Sequence, residues 1–387
     1  MNVWIQRAGL AGVVVASLSL VALPARDSGL ADLPEGISAE QLERAKAGDG
    51  EARYALALAY LESSSTAPNR EKALHWFTLA ADRGHPRAQS ALGHIWIAGG
   101  SVAQAPGREG WWVEQPAADG EGTLRAGDGP DPELGVEWLR KAAEHGELDA
   151  MERLALALEH GEAGEADPRA AVRWYGKPAR AGSLRAQVRL ARLYDEGLGE
   201  ERDAAEAATW YRLAAEHGHA PSQARLATMY TSGDGLHPRY DEAVRWAKTS
   251  AEQNDAEGCY ALAVLYLKGF GVEQDFQRSL HWYRRSATMG NAAAQNMLGT
   301  VYLAGKGVRV DTAKAERWWR MAAEQGYMPA QFNLGGMFSR ELSGSLEKQE
   351  AMRWLAAAAA QGHRRAALEL AELREPSKPA EPANQSE

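Results

Sequence analysis

A tryptophan returns every 36 residues along most of this chain, at Trp138, Trp174, Trp210, Trp246, Trp282, Trp318 and Trp354. Trp76 precedes Trp138 by 62 residues, which is one period plus 26 extra residues. A glycine eight places after each tryptophan keeps the same beat, at Gly84, Gly146, Gly182, Gly218, Gly290, Gly326 and Gly362. Only Asn254 breaks that column. A fixed period of this length demands an array in which each unit buries its apolar face against its neighbours. A single-core domain is excluded at 387 residues, whereas a stack grows without that limit.

Each unit reads as two amphipathic helices, A and B, joined by a glycine loop. In helix A, positions 1, 5, 6 and 9 (Ala186, Leu190, Ala191 and Tyr194 in one unit) share a face at helical spacing. Helix B places Ala207, Trp210, Ala214 and Ala215 on one face in the same way. Asp131, Asp167, Asp203, Asp275 and Asp311 stand in one column as N-caps of helix B, and Asn69 is read as the cap in the first unit. The glycine ending helix B calls for left-handed geometry, which asparagine tolerates next best, so Asn254 fits the column. Pro178 lies inside a helix B, where a kink or early end is expected.

The array begins with a half-repeat, Ile37 to Gly48, capped by Ser38, and closes with another, Ala366 to Arg374. Between them lie eight full repeats, the second interrupted by an aperiodic Gly/Pro-rich segment at about 99–129. Residues 375–387 are Pro-rich and polar and are expected to be disordered. The reading is all-α, with about seventeen helices over residues 37–374.

These columns resemble the Sel1-like repeat family, a relative of the tetratricopeptide repeat. The unit starting at Ala294 carries the pattern nearly throughout: Leu298, Gly299, Tyr302, Gly305, Gly307, Val308, Asp311, Ala315, Trp318, Ala322, Ala323 and Gly326. The resemblance covers about Gln41 to Leu373. It implies a right-handed α-solenoid whose members act as adaptors for other proteins.

Residues 1–25 have the form of a secretory signal peptide: Arg7, an apolar run from Ala8 to Leu23, and small residues up to Ala25. The competing reading is an uncleaved membrane anchor, although the run is shorter than the roughly 20 residues that span a bilayer. Residues 26–36 form a linker. With no cysteine near the cleavage site, a bacterial lipoprotein is excluded. Cys259 is the single cysteine, so no intramolecular disulfide forms, and its place on an apolar helix face makes it a small buried hydrophobe. A formal charge of −9 argues against a nucleic-acid surface. The expected localisation is periplasmic or secreted.

The G-x-G pairs, such as Gly197/Gly199 and Gly305/Gly307, follow helices and recur with the repeat, which makes them turn glycines rather than phosphate loops. No metal motif, cofactor motif or Ser/His/Asp constellation stands out among the repeats. Binding residues are sought where the period relaxes. The fourth position of helix A gives Arg153, Arg189 and Arg225, with Arg192 one turn on, a basic stripe suited to an acidic partner segment. The competing reading pairs these arginines with local carboxylates. Tyr54, Tyr260 and Phe332, at the third position, read as packing between repeats. Trp111 and Trp112 in the interruption have no core role and form a second candidate contact. The function expected is a non-enzymatic exported adaptor for a protein partner in the cell envelope. One alternative is binding an envelope polysaccharide or scaffolding its secretion complex. The other is a β-lactamase-like or cell-wall hydrolase, although the family members linked to β-lactams carry a Cys pair per repeat that this chain lacks.

Overall fold

A computed structural model describes residues 34, 36–63, 67–98, 130–234, 236–340 and 345–374. The signal-peptide reading, Trp111 and Trp112, and the C-terminal tail lie outside the described residues. Among the described residues there are eighteen helices and no strand. Eight full hairpins and two single helices account for them, one more helix than the sequence count.

In chain order the helices are α1 (Ala39–Ala47), α2 (Gly50–Ser63), α3 (Ala67–Ala81), α4 (Pro86–Ile97), α5 (Pro132–Glu144) and α6 (Leu148–His160). Then come α7 (Pro168–Arg180), α8 (Leu184–Glu196), α9 (Ala204–Glu216), α10 (Ala220–Ser232), α11 (Tyr240–Glu252) and α12 (Ala256–Lys268). The array finishes with α13 (Phe276–Thr288), α14 (Ala292–Ala304), α15 (Thr312–Glu324), α16 (Met328–Arg340), α17 (Ser345–Ala360) and α18 (Arg364–Arg374). Even numbers are A helices and odd numbers are B helices. The fold is a right-handed α-solenoid. Two successive A-helix pairs, α10 with α12 and α4 with α6, pack directly on each other. In a helical solenoid of stacked hairpins the A-helix side is the inner face.

One backbone bond recurs in six of the hairpins. The N–H of the helix-B N-cap donates to the carbonyl nine residues back in helix A: Asp203 to Tyr194 at 3.0 Å, Asp275 to Tyr266 at 3.0 Å, and Asp311 to Tyr302 at 3.1 Å. In the interrupted repeat Asp131 donates to Trp96 at 3.0 Å. The added residues therefore leave and rejoin at a stem closed by the bond that the uninterrupted repeats use, and the frame continues unchanged.

Helix ends follow the sequence. Each of the five aspartates accepts a bond from a backbone N–H in the first turn of its helix B, such as Lys314 N–H to Asp311 at 2.9 Å. At the other end Asn254 sits at φ +60°, the one positive-φ residue other than glycine among the described residues. It donates to the Ala251 carbonyl at 3.1 Å, and Asp255 donates to Ser250 at 3.3 Å, the paired bonds of a Schellman end. Two local expectations need correction. Helix α3 starts at Ala67, ahead of Asn69, because Pro68 falls in the first turn, where a missing N–H costs nothing. Helix α7 runs the same thirteen residues as its counterparts, so Pro178 does not end it early. Its Schellman bonds, Gly182 to Ala179 and Ser183 to Pro178, are intact.

Arg239 replaces the capping aspartate of α11 and makes no side-chain cap, yet its backbone (φ −134°, ψ 76°) matches that of Asp167 (φ −124°, ψ 79°). Arg239→Asp is therefore expected to stabilise the protein by about 0.5–1 kcal/mol. Its losses are a 3.5 Å exposed pair with Glu242 and a stacking contact on Tyr230. A urea midpoint no higher than wild type would refute it.

The deepest column is not the tryptophans. Trp210, Trp246 and Trp354 are 7%, 7% and 4% exposed, but Trp76, Trp138, Trp174, Trp282 and Trp318 are only half-buried. The residue after each is buried in every repeat: Phe77, Leu139, Tyr175, Tyr211, Ala247, Tyr283, Trp319 and Leu355. In three repeats that side chain, Leu139, Trp319 or Leu355, lies against a glycine at position 6 of its own helix A. Where it is Trp319, position 6 is Gly299, and a Cβ there would lie 2.5 Å from the indole.

Candidate binding surface

The inner face is built from the A-helix positions that the core does not use. On it the structure places Arg189 and Arg225 at position 4, and the carboxylates Glu159 and Asp195 at position 10 of the preceding A helix. Stacking sets these partners thirty residues apart. Arg189 lies 3.4 Å from Glu159, and Arg192 donates to the same carboxylate. Arg225 grips Asp195 through two bonds of 2.6 Å each. Arg202 bridges Asp195 and Asp234. Each acid also accepts a hydroxyl from helix B of its own repeat, Tyr175 to Glu159 at 3.0 Å and Tyr211 to Asp195 at 3.4 Å. Arg153 instead pairs within its repeat, with Glu162 at 2.6 Å.

The four arginines read from the sequence as one stripe are thus brought together with acids that neutralise them. Glu159 and Asp195 are 4% and 7% exposed, which makes each a buried anion needing these cations. Burial alone would raise the Asp195 pKa, but the hydrogen bonds and charges of Arg225 and Arg202 outweigh it and hold the carboxyl below the ordinary value. Burial, then the Asp195 charge, push the Tyr211 hydroxyl up to about 12. Glu152 is raised, chiefly by burial, even though the Ser183 hydroxyl donates to it at 2.5 Å.

The network is not saturated. Ser90 Oγ, Glu152 Oε1, Arg153 Nη1 and Arg192 Nε are buried polar atoms of α4, α6 and α8 without a hydrogen-bond partner among the described residues. Ser90 stands one turn before His94, whose Nε2 meets Asp149 at 3.3 Å, yet its hydroxyl joins no relay with that histidine. Burial lowers the His94 pKa against the opposing pull of Asp149. Cys259 is fully buried, and burial pushes its thiol up. Among the described residues no group of three or more His, Cys, Asp or Glu side chains could hold a metal. No described helix is long and apolar enough to cross a membrane.

Of the aromatics at position 3, Tyr54 and Phe332 pack toward the next repeat, as expected, whereas the ring contact of Tyr260 is with helix B of its own repeat. Tyr54 stacks on His85 at 5.1 Å and Phe332 on His363 at 4.2 Å, while Tyr260 meets Tyr283 edge-on. A glutamine column went unnoticed. Gln89, Gln187, Gln223, Gln295 and Gln331, at position 2, each donate to a carbonyl at the end of the preceding helix B, at 2.9–3.2 Å. Gln223, Gln295 and Gln331 also accept from Gln253, Gln325 and Gln361 at 2.8 Å. A polar residue recurring on an apolar face at the repeat period was the signal that could have revealed it.

Comparison with known proteins supplies context. The Sel1 repeat family model matches residues 50–85, 119–147, 148–183, 184–219, 220–255, 256–291, 292–327 and 329–363. Among solved structures, a Sel1 repeat protein from Oxalobacter formigenes is 28% identical, with a TM-score of 0.66, covering 86% of this chain and 89% of that one. The c5321 protein, a protective antigen of uropathogenic Escherichia coli displaying an SLR fold, is 27% identical with a TM-score of 0.59. That match covers 86% of this chain and 66% of that one. No curated protein matches the chain.

Proposed function

The chain belongs to the Sel1 repeat family, and from that premise we propose that it is an exported, non-catalytic adaptor holding a segment of a partner protein against its inner face. Proteins of this family generally mediate protein–protein interactions as helical scaffolds, and their solenoid fold is typically non-catalytic. The observation carrying the finer reading is that Arg192 and Arg225, held on the A helices α8 and α10 by the buried carboxylates of Glu159 and Asp195, keep part of their side chains open to solvent. Arg192 and Arg225 have side chains 42% and 35% exposed and offer their open sides to carboxylates of that segment. Export to the envelope rests on the pattern of residues 1–25.

Crosslinking in the native cell, followed by mass spectrometry, tests this reading. The expected result is one protein recovered in stoichiometric yield from the envelope fraction, with recovery falling at least fivefold in Arg192→Glu. Recovery of polysaccharide alone, or of nothing above an unlinked control, would overturn it. Unaltered recovery from Arg192→Glu would remove the arginine from the contact.

A further inference from the structure

A second surface lies where the A–B loop of the seventh repeat meets helices α13 and α15. Arg284, Tyr302, Arg309, Val310, Asp311 and Lys314 line an open depression of about 760 Å³ there. Three of the six are cations. Lys314 is held 2.9 Å from Asp311 and 5.5 Å from the centre of the Tyr302 ring. Arg284 and Arg309 are exposed and form no ion pair among the described residues. Val310 is 57% exposed beside them.

The repeat itself shows that packing does not demand these side chains. Two places before the helix-B cap, the third, fourth and sixth repeats carry Glu165, Glu201 and Glu273, and the fifth carries His237. Arg309 reverses that charge in the seventh repeat alone among these. The place of Val310 is filled by Ala166, Arg202, Pro238 and Gln274 in the others, so neither size nor polarity is fixed by the turn. The reversal is also regional. Residues 256–374 hold fifteen Lys and Arg against eleven Asp and Glu, a surplus of four positive charges in a chain of net charge −9.

We propose that this depression docks an acidic peptide segment of a partner protein, with carboxylates on Arg284 and Arg309 and an apolar side chain over Val310. The volume suits a few residues of extended peptide. The field of the basic third would draw such a segment in. This goes beyond the inner-face reading and uses other residues, so either can fail while the other stands.

The test is fluorescence anisotropy of the full chain with a labelled peptide of sequence EELEDLE, beside a QQLQNLQ peptide. The acidic peptide is expected to bind, and to weaken severalfold between 50 and 200 mM salt, because exposed charges are screened over roughly 10 Å at 0.1 M. Arg284→Glu with Arg309→Glu should weaken it at least tenfold. Val310→Ser, which leaves every charge in place, should weaken it about threefold. Arg173→Glu with Arg180→Glu makes the same charge change at exposed positions on α7 and should leave binding intact. Equal weakening by both charge-reversed pairs, equal binding of the amide peptide, or no binding of the acidic peptide would overturn the proposal. Loss of peptide binding with native-cell crosslinking unaltered would leave the inner-face reading untouched.

Discussion

Replacing Trp319 by alanine is expected to cost about 4 kcal/mol, against about 1–2 kcal/mol for the same change at Trp318. The two indoles are neighbours in sequence and chemically identical, yet Trp319 is 3% exposed while Trp318 is half-buried. Trp319 lies against Gly299, with no Cβ between the helices, and donates its indole N–H to the Asn296 carbonyl at 3.1 Å. Truncation leaves a cavity between two helices that cannot close further, and it removes that bond. Trp318 packs at the margin of the neighbouring cluster around Leu280, Tyr283 and Leu298, where solvent and neighbouring side chains refill the space. Urea unfolding followed by circular dichroism decides it. Equal midpoints for the two variants would show that the deeper burial of Trp319 gives it no larger share of the hairpin's stability.

Asp195→Ala is the second large effect, with an expected loss of about 2–3 kcal/mol near neutral pH. The carboxylate joins α8 to α10 through Arg225, to α9 through Tyr211, and to the loop residue Arg202. Removing it leaves Arg225 and Arg202 without their buried counter-ion, which is why the loss exceeds that of a surface pair. Because both arginines are partly exposed, water recovers some of it, and the estimate sits at the low end for a broken buried pair. The pH dependence has a definite sign. The folded-state pKa of Asp195 lies below the ordinary value, so its contribution is complete above the unfolded pKa and is lost as pH falls through the folded one. Wild type and Asp195→Ala should converge in strong acid and diverge toward pH 6. A constant difference across that range would contradict the ion-pair account.

The same geometry changes how the arginine stripe can be probed. Arg192→Glu and Arg225→Glu would place carboxylates against Glu159 and Asp195, so a loss of partner recovery counts as lost binding only where the variant's urea midpoint matches wild type. Arg284 and Arg309 form no ion pair among the described residues, and the nearby Asp311 is the only charged group among them on which Arg309 is seen to act, so their reversal reads binding more directly.

Much of this molecule was legible in its residues. The hairpin boundaries, the aspartate caps, the left-handed Asn254 and the buried Cys259 all follow from spacing and residue type. Each depends on one helix and its ends, where backbone hydrogen bonding within a few residues decides the conformation. Asn69 and Pro178 were misread for a related reason. The permissive first turn admits Pro68. The regular termination after Pro178 is held by the same pair of Schellman bonds that ends the neighbouring B helices.

What the chain alone determined was the 36-residue unit, its order, and the continuity of the stack across the interruption. Tertiary structure decided which of two adjacent aromatics faces inward, because that depends on how helix B lies against its own helix A. It also decided that Arg189 and Arg225 meet acids thirty residues away, while Arg284 and Arg309 form no ion pair among the described residues. Charge pairing between repeats is fixed by the stagger of stacked hairpins, and no periodicity within one helix encodes that stagger.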